Sequence, residues 1–228
     1  MNLIRQSLIF IQEGGVASCL ILFAGLVLLM VAAERIKYLF FSVSTDSEEA
    51  LKRLESLVGS RAYFQAIQLC NQQRHNVQLE VLRSGLIAAD SGREAMKSAL
   101  GASILEVTQN CEARLSYLAL IASAGTLLGL LGTITGLIQT FAGIANSSAS
   151  EKARLLGTGI AEAMHSTAAG LVIGLVAMVA HTVCMSKADS IISKSQNVAL
   201  KLIHWIEQSE RPEPFDKTEQ MERVKKNA

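Results

Sequence analysis

Gly157-Thr158-Gly159-Ile160-Ala161-Glu162-Ala163-Met164-His165-Ser166-Thr167-Ala168-Ala169-Gly170-Leu171-Val172 opens one of the longest apolar runs of the chain. After Glu162, no Lys, Arg, Asp or Glu appears until Lys187. A membrane-spanning helix through this stretch places a carboxylate at or within the hydrocarbon. An ionisable group is costly at that depth, and its default reading is an ion or proton pathway. The alternative is that Glu162 lies at the outer interface and is solvated. Residues 156–161 are also uncharged, so the helix can extend beyond Glu162 by a turn or more.

Composition agrees with a membrane protein. Half of the 228 residues are hydrophobic, mean hydropathy is +0.33, and the apolar residues are clustered. Net charge is +1, which offers no basic field for nucleic acid. Both prolines, Pro212 and Pro214, lie near the C-terminus, so everything before them can be helix. Cys19, Cys70, Cys111 and Cys184 match neither a disulfide framework nor a zinc site. No nucleophile–base pair or metal set appears, and no cofactor is expected.

The predicted organisation is all-α, an integral membrane protein with three transmembrane helices and long cytoplasmic helical extensions. Residues 1–13 read as an interfacial helix and 14–41 as the first span, uncharged from Gly14 to Ala33. Residues 42–115 carry frequent mixed charges and read as a helical domain of three or four helices. Thr45-x-x-Glu48 and Ser91-x-x-Glu94 fit the capping-box pattern there, and His75 reads as a surface residue. The helix from about Arg93 is expected to run directly into the second span, 116–144. A short loop at 145–152 leads to the third span, 153–181. A helical extension, 182–210, carries Lys187, Lys194 and Lys201 at sevens, and 211–228 is a charged tail of disordered composition.

Gly125, Gly129, Gly132, Gly136 and Gly143 fall within one stripe roughly 60° wide on the second span. Small residues let membrane helices approach closely. Beside them run Thr126, Thr133 and Thr140, either bonded to their own backbone or forming a polar lining. Gly170 and Gly174 form a second packing pair, about 80° around the helix from Glu162. Thr158, His165 and Ser166 flank Glu162 and are secondary polar candidates. Basic residues nearest the spans favour an N-terminus outside and a C-terminus in the cytoplasm.

Three regions carry a resemblance. Gly14-Gly15 opens an apolar span that closes at Glu34-Arg35; Leu127-Leu128-Gly129-Leu130-Leu131-Gly132-Thr133-Ile134-Thr135-Gly136 forms a second block; Gly159-Ile160-Ala161-Glu162-Ala163 with Thr167-Ala168-Ala169-Gly170-Leu171 forms a third. Together they resemble the MotA/TolQ/ExbB proton-channel family, most closely its ExbB/TolQ branch. The resemblance implies a homo-pentamer in the bacterial inner membrane, its second and third helices lining a central pore. It implies a dimer of an ExbD/TolR-like single-span partner in that pore, and a TonB/TolA-like or motility partner beyond it. The family's polar pore residues map onto Thr133, Glu162 and Thr167. The chain departs from the family in carrying Thr126 and Gly157-Thr158-Gly159 where prolines are common, and His165 where an aliphatic residue is usual. Two readings stand for His165, a second protonatable group or a histidine bonded to a neighbouring hydroxyl, and the second is the expectation. A MotA-like motility stator usually has four spans, against three here. A non-conducting scaffold would need the glycines but no membrane carboxylate. TonB-type uptake, Tol-type envelope maintenance and motility all remain open as the energised process. A lone carboxylate among threonines suits sodium as well as protons; the resemblance favours the proton.

Overall fold

A computed structural model describes residues 2–43, 48–72, 76–145 and 148–210. The described residues are overwhelmingly helical. Helix α1 spans Asn2–Lys37 and passes into a π-helical turn, Tyr38–Ser42. Then come α2 (Glu48–Gly59), α3 (Tyr63–Gln72), α4 (Val77–Ala89), α5 (Arg93–Glu112), α6 (Leu115–Ile144) and α7 (Ala149–Glu210). Among the described residues, three stretches are long and apolar enough to cross a membrane: Ser18–Phe41, the segment ending at Ile144, and the one beginning at Glu151.

The chain divides into two compact units. The first takes the chain up to Phe41 and Glu112–Lys187, which comprises α1, α6 and the first part of α7. Each helix turns a stripe with 3-4 spacing inward. On α1 the stripe is Ser18, Ile21, Gly25, Leu28, Ala32, Arg35 and Leu39, all buried or half-buried. On α6 it is Leu115, Leu118, Ala122, Gly125, Gly129 and Gly132, all buried. Such spacing keeps one seam facing a neighbour along the whole helix. The outer faces stay apolar and exposed, as at Phe23, Leu29, Leu127, Ile138, Leu171 and Leu175. Lipid suits these faces.

Contacts fix the directions inside this unit. Gly25 lies against Ile173, and Lys187 stacks over the Phe40 ring at 5.3 Å, so α1 and α7 run parallel. Helix α6 runs antiparallel to α7, since Gly125 meets Gly174 while Gly136 meets Ala163, and so also to α1, whose Glu34 pairs with Arg114. The α6–α7 contact is a backbone-to-backbone approach. A Cβ on Gly170 would sit 2.5 Å from the Gly125 carbonyl oxygen and 2.7 Å from Gly129 Cα. A Cβ on Gly125 would sit 3.1 Å from Gly174 N. Gly136 abuts Ala163, and Gly159 abuts Thr140.

The second unit takes Ser42–Cys111 and the chain from Ala188. Helices α2 to α5 supply Leu54, Val58, Ala66, Leu79, Leu82, Leu86, Met96 and Leu100 to its core. Helix α7 adds Ala188, Ile191, Ser195, Val198, Leu202 and Trp205, again at 3-4 spacing. Gly85 makes room for Leu100 and Leu202, whose side chains would lie 2.6 and 2.9 Å from a Cβ there. The end of α7 is held by an Arg93–Glu207 ion pair and by the Arg61 guanidinium donating to the Ser209 carbonyl. Cys70 is buried in this unit, and burial pushes its thiol up to about 11 despite Arg83 nearby.

Several expectations change. The helix from Arg93 does not run into the second span: α5 stops at Glu112, and Arg114 adopts a left-handed φ of 61° before α6 starts. The cost of that backbone at a non-glycine residue is set against the Glu34 pairing at the same arginine. The 1–13 segment is not separated from the first span, because α1 is continuous from Asn2. Ser91 does not cap α5; Gly92, at φ 104°, stands at the helix start, one residue later than the box needs. A Ser148–Glu151 pair forms instead at the start of α7, where none was expected. Ser148 donates from its amide and hydroxyl to Glu151, at 3.3 and 2.8 Å, as α7 begins. Thr45 and His75 lie outside the described residues.

Gly170→Ala is expected to destabilise the α6–α7 pair by about 1–3 kcal/mol, because the methyl meets rigid backbone. Gly143→Ala, in open space, serves as the neutral control. Folded yield and thermal unfolding in detergent check this pair. A second check is chemical: Cys70 should resist alkylation at neutral pH in native protein and react fully once denatured, since the thiolate is the nucleophile.

Candidate functional site

Glu162 sits on α7 with Asp and Glu absent on either side until Glu151 and Asp189. It is half-buried. The α7 residues that meet α6 are Gly159, Ala163, Thr167, Gly170 and Gly174. At 100° per residue they form a stripe, and Glu162 lies roughly 100° around the helix from its middle. The carboxylate is therefore off the glycine seam. Thr158 and His165 lie further round the same side and are exposed.

Hydroxyls near this level are mostly spent on helix backbone. Thr133 Oγ1 donates to Leu130 O at 2.7 Å, Thr140 Oγ1 to Gly136 O at 2.8 Å, and Thr126 Oγ1 to Ala122 O at 3.4 Å. Thr126 and Thr140 also fill the space beside Gly174 and Gly159. Those two belong to the α6–α7 seam, and all three hydroxyls bond their own helix backbone, the first of the two arrangements open to them. Thr158 donates to Arg154 and Leu155 carbonyls at 3.1 Å, and the buried Ser166 donates to Glu162 O at 3.4 Å.

Thr167 is different. Its Oγ1 crosses to α6 and donates to the Gly129 carbonyl at 3.0 Å. That bond is possible because Gly129 and Gly170 bring the two backbones together. Each threonine hydroxyl has one proton, already engaged at Thr133 and Thr167, while its oxygen keeps acceptor capacity.

His165 bonds backbone rather than a hydroxyl. Its Nδ1 lies 2.7 Å from Ala161 O. Of the seven packing glycines expected, Gly125, Gly129, Gly136, Gly170 and Gly174 stand at close approaches, and Gly132 is buried. Gly143 shares their angle, but a Cβ added there would meet nothing within 4 Å, as at Gly157 on α7. The seam ends at Thr140 and Gly159, short of the connection. Gly25 and Gly159 are packing glycines that the sequence reading passed over. So is Ser18, a fully buried hydroxyl with no hydrogen-bond partner among the described residues. The parallel register that sets Gly25 against Ile173 brings Ser18 level with Ser166. The 3-4 stripe of α1 was the available signal.

Residues 71–197, more than half of the chain, match the family model described as the MotA/TolQ/ExbB proton channel family. The chain belongs to that family. Comparison with individual curated proteins gives no match. The family match includes the whole α6–α7 seam and Glu162, so the geometry above belongs to a multi-pass membrane protein of proton-channel type.

Thr167→Val is expected to cost about 0.5–1 kcal/mol, the range for an interhelical hydrogen bond in a membrane protein. Thr133→Val, which loses only a bond to its own helix, should change stability by less than about 0.5 kcal/mol. Reversible unfolding in mixed detergent separates the two.

Proposed function

We propose that this proton-channel-family chain is the stator subunit of an ExbB/TolQ-type complex in the bacterial inner membrane. Five copies surround a pore lined by α6 and α7. Two ExbD/TolR-like partners place their single spans in that pore, and proton flow through it drives movement in a TonB/TolA-like component acting on the cell envelope. The N-terminus is periplasmic, and the 42–111 domain and C-terminus are cytoplasmic. The observation that carries this reading is Glu162: one half-buried carboxylate, in an otherwise uncharged stretch of α7, about 100° round the helix from the seam that binds α7 to α6. Packing alone asks for the glycines and not for that carboxylate.

Thr133 offers the pathway an oxygen acceptor, its hydroxyl proton being committed to Leu130 O. Thr167, on the α6–α7 seam, sets the rotation of α7 that directs Glu162. The exposed apolar faces of α6 and α7 suit neighbouring copies and lipid. The process energised is envelope maintenance or outer-membrane transport.

The test is partner-dependent proton uptake in vesicles. Glu162→Gln keeps size and hydrogen bonding but cannot titrate, so it should assemble as the parent does and lose flux by on the order of 100-fold or more. Glu162→Asp should retain partial activity. Thr133→Ala should lose less than Glu162→Gln, since water replaces a hydroxyl in a polar lining. A normally assembled Glu162→Gln protein with parental flux would favour a non-conducting scaffold.

A further inference from the structure

The side of α7 that carries Glu162 changes character along its length. Thr158, Glu162, His165 and Ala169 share a stripe about 60° wide. Continuing it, the helix presents Val176, Ala180 and Val183, and the next charged position is Lys187. The stripe is polar from Thr158 to His165, about 10 Å of helix rise, and apolar for the next four turns or so. His165 is its last polar group. It is exposed, one turn from Glu162, and about 160° from the middle of the glycine seam.

Its ring is also held in one state. A carbonyl oxygen only accepts, so the 2.7 Å contact with Ala161 O requires the proton on Nδ1. In the neutral imidazole Nε2 then carries the free lone pair. No other hydrogen bond to this ring is needed to fix the tautomer. A histidine serving only as packing has no need of that arrangement on an exposed face.

We infer that His165 is a second proton carrier in this channel, acting in series with Glu162. The inference rests on the channel reading above. In the forward step the Glu162 carboxyl O–H bond breaks and an Nε2–H bond forms on His165, directly or through one water. A carboxylate and an imidazolium result. Nδ1–H stays on Ala161 O throughout. The imidazolium then releases the Nε2 proton to water beyond the polar half of the stripe, and Glu162 takes its next proton from the Thr158 side. Protons are conserved at each step, and both groups return to their starting forms.

The groups around His165 can be named. On α7 the nearest titratable neighbour is Glu162. On α6 the span holds Tyr117 alone, near its start. On α1 they are Arg5 and Glu13 in its first half, Cys19 in the span, and Glu34, Arg35 and Lys37 at its far end. Glu162 is therefore the partner that α7 itself supplies.

The experiment uses the assembled complex in vesicles and compares the parent, His165→Gln and Glu162→Gln over a range of pH. His165→Gln keeps a polar side chain of similar length but cannot titrate. The expected result is at least about a tenfold loss of flux, with one titration step missing from the pH–flux profile. Nitrogen-15 NMR of histidine-labelled parent protein should show His165 with Nδ1 protonated and Nε2 titrating over the pH range in which flux changes. This reading does not depend on how the variants fold. Parental flux and pH profile in His165→Gln, with flux lost in Glu162→Gln, would overturn the relay and leave the channel reading intact. Parental flux in both variants would overturn both. A His165 ring whose protonation stays constant across that range would overturn the relay by itself.

Discussion

The structure depends on how closely two helix backbones approach at Gly125, Gly129, Gly170 and Gly174. A hydrocarbon solvent gives apolar side chains no reason to leave it, so helix association must come from packing and hydrogen bonds. Glycine removes the side chains that would hold α6 and α7 apart, and a Gly170 Cβ would stand 2.5 Å from a carbonyl oxygen. That approach permits the one threonine bond that crosses the seam, Thr167 to Gly129 O. It also fixes the rotation of α7, and with it the direction of every other α7 side chain. Glu162 is off the seam because the glycines are on it.

This division explains why one helix can be both structural and functional. The seam face of α7 is small and apolar, and Gly159, Ala163 and Gly170 contribute little beyond shape. The Glu162 side also carries Thr158 and His165. A methyl at Gly170 meets rigid α6 backbone, whereas Glu162→Gln keeps the side chain's shape and removes its titration. Helix α1 adds a third 3-4 stripe whose polar members, Ser18 and Arg35, are buried. Its outer face, with Phe23 and Leu29, remains for lipid.

The seam and the spans were legible in the sequence because periodicity and charge-free length are direct consequences of helix geometry and bilayer thickness. The position of Glu162 relative to Gly170 followed from the same arithmetic. Other features were not legible, for physical reasons. Gly143 has the right angle but lies beyond the end of the seam, and angle alone does not report where two helices part. The threonine row has the spacing of a lining, yet Thr126 and Thr140 fill space beside glycines of the opposite helix, which no single-helix pattern reveals. The break at Arg114 carries no glycine or proline to announce it; its left-handed backbone is accompanied by an ion pair to Glu34, far away in sequence. Ser-x-x-Glu motifs are short and common, so the Ser148–Glu151 pair, which forms, was passed over for Ser91–Glu94, which does not. His165 looks like a hydroxyl partner by sequence because Ser166 and Thr167 follow it, but the carbonyl one turn back is nearer.

The account turns on Glu162 gaining and losing a proton inside the assembled protein. Isotope-edited infrared difference spectroscopy, with carbon-13 in glutamate carboxyls, reports that event directly as protonated-carboxyl and carboxylate bands exchanging with pH. The account predicts an exchanging pair in the partner-bound parent that is absent from Glu162→Gln, while Glu34 and Glu151 variants retain it. A parent spectrum in which no band assigned to Glu162 changes over the pH range that supports proton flux would contradict it.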